Sequence, residues 1–324
     1  MRTALRLLGG QRFLVAPLCL LGAVIVFAAS APEFLTLGNV SNVGAQMWVL
    51  ALLAVGQMFA IVTRGFDISV GAVAALSSTI AAHAVNALGP AGLLAGPLTG
   101  LLCGTLTGFL IGFLRLQPIV ATLGMMIGVR GLALLVTGDG QVVPLHDADL
   151  ASWLAFDPAF GLPPADWGAI GCILLAGALL GRAVLGRRLV MLGSNPDAAH
   201  LVGIDTARTQ LRAYQLCGGF AGLAGVLVLL RAGTGLPTDG AGMELQSIAA
   251  ALIGGTALSG GVARVFPVVL GAAFIQAVLT GLDLQGVSPF IAQIVVGLVI
   301  VAAGFLEFAL RRFQGFAFHR RSWT

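Results

Sequence analysis

Apolar residues fill the chain in long, nearly uninterrupted runs, and polar residues collect in the breaks between them. A helix needs about 20 mostly apolar residues to cross the hydrocarbon core of a bilayer. Runs of that kind lie near 14–31, 43–63, 70–88, 91–113, 118–137, 167–185, 213–232, 244–260, 264–282 and 289–310. The pattern predicts an all-α polytopic membrane protein with about ten transmembrane helices. Glycine and proline divide the stretches 70–113 and 244–282, so some spans are expected to be broken. With no room for a separate soluble domain, residues 1–324 are expected to form a single transmembrane domain.

The charges in the breaks set an orientation. With the amino terminus in the cytosol, the inner breaks hold Arg64, Arg115, Arg187, Arg188, Arg208, Arg212 and Arg264, and the tail holds Arg311, Arg312, Arg320 and Arg321. The outer segments 32–42, 138–166, 233–243 and 283–288 hold no arginine, but carry Glu33, Asp139, Asp147, Asp149, Asp157, Asp166, Asp239 and Asp283. Basic residues favour the cytosolic side, so ten spans with both termini cytosolic fit, whereas one span more or fewer would expose the pair 311–312. Segment 138–166 is then the main external loop, with Trp153 and Trp167 as interface anchors, and 186–212 is a cytosolic loop. The amino terminus (Arg2, Arg6, Arg12, then Leu14 to Ala29) resembles a secretory leader ending in Ala29-Ser30-Ala31, but among so many spans it reads as a retained first helix.

Composition narrows the function. Charged residues make up 9% of the chain and mean hydropathy is +1.00, where soluble domains carry about a quarter charged residues. All 17 basic residues are arginine, so a P-loop and lysine Schiff-base chemistry are both excluded on this chain. The net charge of +4 sits on arginines scattered between apolar runs, which is no nucleic-acid footprint. Cys19, Cys103, Cys172 and Cys217 each fall inside an apolar run and read as small hydrophobes. His83, His146, His200 and His319 have no metal-ligand spacing, and no catalytic or metal-binding set is expected. Gly100, Gly104, Gly108 and Gly112, like Gly218, Gly222 and Gly225, recur at a helical spacing that lets backbones approach closely.

Three breaks carry candidate functional residues. In the first, Asn195 is an N-cap, Pro196 suits the first helical position, Asp197 complements the helix dipole and Gly203 is a natural terminator. Ala198, Ala199, Leu201 and Val202 make one side of this short helix apolar, with Ile204 beyond its end. It is either a docking element or an ordinary inter-span helix. In the second, Asp67 is either a helix cap or a functional intramembrane carboxylate. In the third, Glu244 opens a segment whose pairs Gly254-Gly255 and Gly260-Gly261 cannot hold a regular helix unaided, and which either lines a pathway or packs. Asn42, Gln46, Gln57, Thr122 and Gln246 are further polar residues in or beside apolar runs, so the candidates for a translocation path are Asn42, Gln46, Gln57, Asp67, Thr122, Glu244, Gln246, Gly254 and Gly255.

Four stretches together resemble the membrane permeases of ribose-type ABC importers, which are related to the branched-chain amino-acid permeases. They are GQMFAIVTRGFDISVG (Gly56 to Gly71), PIVATLGMMIGVRG (Pro118 to Gly131), GSNPDAAHLVGI (Gly193 to Ile204) and ELQSIAAALIGGTALSGG (Glu244 to Gly261). Arg64 departs from the family's usual glycine, Ser194 replaces a common glycine, and Val262 to Pro267 replaces a more glycine-rich run. The resemblance implies a permease domain in a bacterial inner membrane that imports a monosaccharide by ATP-driven alternating access. It implies a second permease subunit (homodimer or heterodimer), a cytosolic ATPase that holds ATP and magnesium, and a periplasmic sugar-binding protein, with no cofactor on this chain. It also makes Gly193, Asn195, Pro196, Asp197, Ala198, Ala199, Leu201, Gly203 and Ile204 the coupling helix and its flanks, which dock on the ATPase. Two other classes stay open: an ion-gradient-driven transporter that uses Asp67 and Glu244, and a receptor or scaffold, for which no signalling domain is in evidence.

Overall fold

The computed structural model describes residues 12–319, with side-chain surroundings from Phe13 to Phe305. Arg2, Arg6, Arg320 and Arg321 lie outside the described residues, as do the side chains of Arg12, Arg311 and Arg312. Five helices come first: α1 (Val15–Ser30), α2 (Leu37–Val62), α3 (Val70–Leu88), α4 (Ala95–Gly112) and α5 (Pro118–Val136). After β1 (Val143–Pro144) come α6 (Ala148–Ala155), α7 (Pro164–Arg182), α8 (Val184–Ser194), α9 (Pro196–Leu201) and α10 (Thr206–Ala232). Beyond β2 (Thr234–Gly235), α11 (Met243–Ile253), α12 (Val265–Leu284) and α13 (Pro289–His319) complete the order. The protein is an all-α membrane protein whose described strands form one two-residue pairing, Val143 opposite Gly235 and Pro144 opposite Thr234.

Each of the ten apolar runs holds a helix. Among the described residues six segments are long and apolar enough to cross a membrane: α2, the 43-residue stretch Val70–Gly112, α5, α7, α10 and α12. Val70–Gly112 contains α3 and α4, joined through a 3-10 turn at Gly89–Leu94. Helices α1 and α11, and α13 up to Phe305, are shorter apolar helices.

Local signals move several boundaries away from the edges of the apolar runs. Helix α2 starts at Leu37 because the Thr36 hydroxyl accepts from Asn39 N–H (3.4 Å), although polar residues had placed the run's edge at 43. Helix α10 starts at Thr206 because Asp205 Oδ1 accepts from Arg208 N–H (2.9 Å). Arg208 and Arg212 therefore ride on the first turns of a helix rather than in a loop. Proline at the first helical position starts α7 at Pro164, so Asp166 belongs to that helix and not to the preceding loop. The expected span 244–260 is helical only to Ile253, where Gly254 caps the helix and Gly255 turns left-handed at φ +82°.

Helices α2 and α10 form the axis of the bundle. In their most apolar 18-residue stretches 78% and 72% of the residues are buried within the chain, against 28% for α5 and for α7, whose outer faces are apolar. The glycine stripe of α4 lies on α10: a Cβ at Gly100 would sit 2.1 Å from the Gly218 carbonyl oxygen, and one at Gly104 would sit 2.2 Å from that of Tyr214. Gly222 takes part in the same seam, whereas Gly225 faces Ala74 of α3.

One crossing of the bundle is not a continuous helix. Gly235 packs on Thr79 and Ala82 of α3, Gly240 packs on Gly71 a little over two turns back along that helix, and Gly261 reaches Val62 at the end of α2. Residues 235–264 thus run the length of the bundle as a non-helical segment, the helix α11 and a glycine-rich turn. At 11 residues, α11 is about 16 Å long, half of the roughly 30 Å of a hydrocarbon core. Irregular backbone at that depth persists where protein covers it, as α2, α3, α12 and α13 do here.

Candidate functional site

The short helix α9 is built as its residues predict. Asn195 leaves α8 in an extended conformation (φ −156°, ψ 102°), and its side-chain oxygen accepts from Ala198 N–H at 3.0 Å. Pro196 fills the first helical position, where its missing N–H costs nothing, and Asp197 lies in the first turn beside the positive end of the helix. Gly203, at φ +80°, closes the other end: its N–H bonds the His200 carbonyl and that of Ile204 bonds the Ala199 carbonyl, both at 3.0 Å. These paired bonds are a Schellman ending, which only a residue at ease with positive φ permits. Asp205 then caps α10, so two helices meet at a fixed corner.

Inside that frame the apolar residues divide. Ala199 is fully buried and Ala198 and Pro196 half-buried, while Leu201 is 86% and Val202 61% exposed. Asn195, Asp197 and Gly203 are exposed, and Ile204 lines a shallow cavity of about 260 Å³ together with His200, Gly203, Asp205 and Thr206. Arg187 and Arg188 of α8 and Arg208 and Arg212 of α10, the helices on either side, have exposed side chains, and Arg208 pairs with Asp205 at 3.2 Å. The corner thus presents an apolar tip, Leu201 and Val202, with exposed charged residues of both signs on the adjoining segments.

Gly193 holds this corner against the rest of the bundle. A Cβ there would fall 1.7 Å from the Val62 carbonyl oxygen and 2.5 Å from Gly261 N. The Gly261 N–H donates to that same Val62 carbonyl at 2.9 Å. Arg64 joins them: its Nε donates to the Gly193 carbonyl (2.6 Å) and its Nη2 to that of Ser194 (2.8 Å). Sequence reasoning gave Arg64 only an orientation role.

The polar candidates within the spans fall into groups. Gln57 and Asp67 are both buried, and with its amide oriented to suit both partners Gln57 donates to the Asp67 carbonyl and accepts from Asp67 N–H, each at 3.1 Å. The Asp67 carboxylate accepts from Ser69 N–H (2.9 Å) and from Ser69 Oγ (2.5 Å). Asp67 therefore closes a turn just ahead of α3, which begins at Val70 with Ser69 at its cap position, and is not itself the helix cap. Tyr214 Oη donates to the Phe66 carbonyl at 3.4 Å and completes the cover of this loop.

A second group joins α2 to α12. Gln276 Nε2 donates to Gln46 Oε1 (2.8 Å) and to Thr280 Oγ1 (3.2 Å), and Gln46 Nε2 donates to Asn42 Oδ1 (3.1 Å). Gln276 was missed, although a glutamine in mid-run was signal enough. In the third group Glu244, in the first turn of α11, has its carboxylate 2.5 Å from where a Cβ on Gly71 would be, and its Oε2 is buried with no hydrogen-bond partner among the described residues. Gln246 is half-buried two residues on, and Gly254 is pressed to the Val268 backbone, where a Cβ would come within 2.5 Å of Cα. Thr122 stands apart, fully buried, with its hydroxyl donating to the Pro118 carbonyl of its own helix at 2.9 Å. A further pair was not anticipated: Asp166 of α7 and Arg231 of α10 form an ion pair with side chains only 3% and 13% exposed. Its signal was an arginine inside the run 213–232.

The model of one family, described as the permease component of a branched-chain amino acid transport system, matches residues 39–304. The chain belongs to this family. The match takes in α9, the Asp67 turn and the α11 crossing, so all three lie within the family domain. The chain is 36% identical to the ribose import permease protein of Escherichia coli strain K12 over 306 residues, which is 90% of this chain and 92% of that protein. It is 32% identical to the L-arabinose transport system permease protein of the same strain over 291 residues (87% and 88%). It is 34% identical to the strain's D-allose transport system permease protein over 288 residues (88% of each). No solved structure matches the chain.

Proposed function

We propose that the chain is the transmembrane permease subunit of a binding-protein-dependent ABC importer for a monosaccharide, driven by ATP through alternating access. The observation that carries this reading is the corner at α9, a capped helix with Leu201 and Val202 exposed, Ala199 buried and Gly193 locked against Val62. A soluble partner pressing on that tip moves the bundle, because the corner has no slack. Three relatives named for ribose, arabinose and allose support a monosaccharide as cargo. ATP and magnesium sit on a separate cytosolic ATPase, since a chain without lysine has no P-loop; a periplasmic binding protein delivers the sugar.

In this reading residues 1–324 form one permease domain that crosses a bacterial inner membrane ten times, with both termini and 186–212 in the cytosol and 138–166 outside. The distribution of arginine supports that orientation. Two permease subunits flank the pathway, and Asn42, Gln46, Gln57, Asp67, Thr122, Glu244, Gln246, Gly254 and Gly255 lie in or near it. The binding protein biases the two-state equilibrium by its preference for one state.

Leu201→Glu tests the docking surface. The variant is expected to insert at wild-type levels and to lose at least tenfold in ATPase captured on co-purification. Wild-type capture and wild-type sugar uptake by that variant would refute the docking role.

A further inference from the structure

The backbone at Arg64 is left-handed, φ +69°, a region that strains every residue with a Cβ. An arginine that serves only to mark the cytosolic face needs neither that conformation nor a fixed partner. Arg64 has both. Its Nε and Nη2 take up the carbonyls of Gly193 and Ser194, the last residues of α8. Those carbonyls have no partner within their own helix, and a cation belongs at this negative end of it. The stem of the same side chain covers Gly260, where a Cβ would lie 2.6 Å from Arg64 Cγ.

We propose that Arg64 is a positioning residue that clamps three segments into one rigid body: the end of α2, the α8–α9 corner and the Gly260-Gly261 turn that leads to α12. The Val62 carbonyl forms the floor of the clamp, since it meets Gly193 and accepts from Gly261 N–H. Displacement of α9 is then passed directly to α2, which carries Gln57 and the Asp67 turn, and to the broken α11 crossing. Packed contacts of this kind move as units because they do not deform continuously. The functional part of the proposal rests on the importer reading; the mechanical part does not.

The experiment uses the full chain in lipid nanodiscs, with Arg64→Gly, Arg64→Gln and Arg64→Lys. Glycine relaxes the left-handed backbone, glutamine keeps the stem over Gly260, and lysine keeps the charge. Hydrogen exchange should rise at least tenfold in the glycine and glutamine variants, together over 193–204 and 256–264, with α3 unchanged and lysine intermediate. In vesicles with the ATPase and binding protein, basal ATP hydrolysis should stay within twofold while D-ribose taken up per ATP falls at least tenfold. Exchange that stays at wild-type levels, or rises in only one segment, would overturn the clamp. So would wild-type uptake per ATP in a loosened variant. Loss of helical circular dichroism in both the glycine and glutamine variants would also overturn it, by making Arg64 a folding residue. A wild-type complex that imports no sugar sinks the importer reading instead, and leaves the exchange result to decide the clamp.

Discussion

Gly193 shows how a single residue type decides whether the α9 corner can form. With a Cβ 1.7 Å from the Val62 oxygen, Gly193→Ala must push α8 off α2, and overpacking of that kind costs about 1–3 kcal/mol. A lowered unfolding temperature in detergent, alongside reduced ATPase capture, is the expected outcome. Asp67 offers the sharper test of mechanism. Its carboxylate Oδ1 accepts both donors of Ser69, so Asp67→Asn keeps the acceptor and should keep both fold and uptake. Asp67→Ala should lose about 1–3 kcal/mol, because the buried Ser69 donors lose their partner. Abolished uptake in a stable Asn variant would make Asp67 a carrier of protons or cations. The caps at Asn195 and Gly203 were legible in the sequence because their physics is local, confined to three or four residues. Arg64 was not, since its partners Gly193 and Ser194 lie far along the chain and only the fold brings them within reach.

At the scale of elements, the seam between α4 and α10 distinguishes glycines that serve packing from glycines that do not. Gly100→Ala places a methyl 2.1 Å from the Gly218 oxygen and should destabilise the bundle by about 1–3 kcal/mol. Gly124 of α5 has nothing within 4 Å of its Cβ position, so Gly124→Ala should be neutral or slightly stabilising to the isolated chain. Thermal melts of the two variants side by side check the contrast. Spacing alone made the α4 stripe legible, because a repeat of four residues marks one helical face. It could not say that Gly225 would turn to α3, or that Gln46 of α2 would find Gln276 of α12. The break in 244–260 was readable from its two glycine pairs; the stopping point at Ile253 depends on how closely Gly254 meets Val268. Two helix starts moved outward because a polar cap, Thr36 or Asp205, began the helix outside the apolar run.

For the whole molecule, hydropathy was enough for the class because every run long enough to span must satisfy its backbone internally, and a helix is the simplest way. Hydropathy does not separate faces that meet lipid from faces that meet a second subunit. Leu174 and Leu175 of α7 and Leu298 and Val301 of α13 are exposed on this chain, and apolar side chains serve equally in either place. If ATP-driven motion enters through the α9 corner, transport by the reconstituted complex reveals it most directly. Vesicles holding the chain with its ATPase, supplied with binding protein and labelled D-ribose, L-arabinose or D-allose, should accumulate at least one sugar only when ATP is present. The chain alone should take up none when a proton or sodium gradient is imposed. Accumulation driven by the gradient without the ATPase would contradict the account.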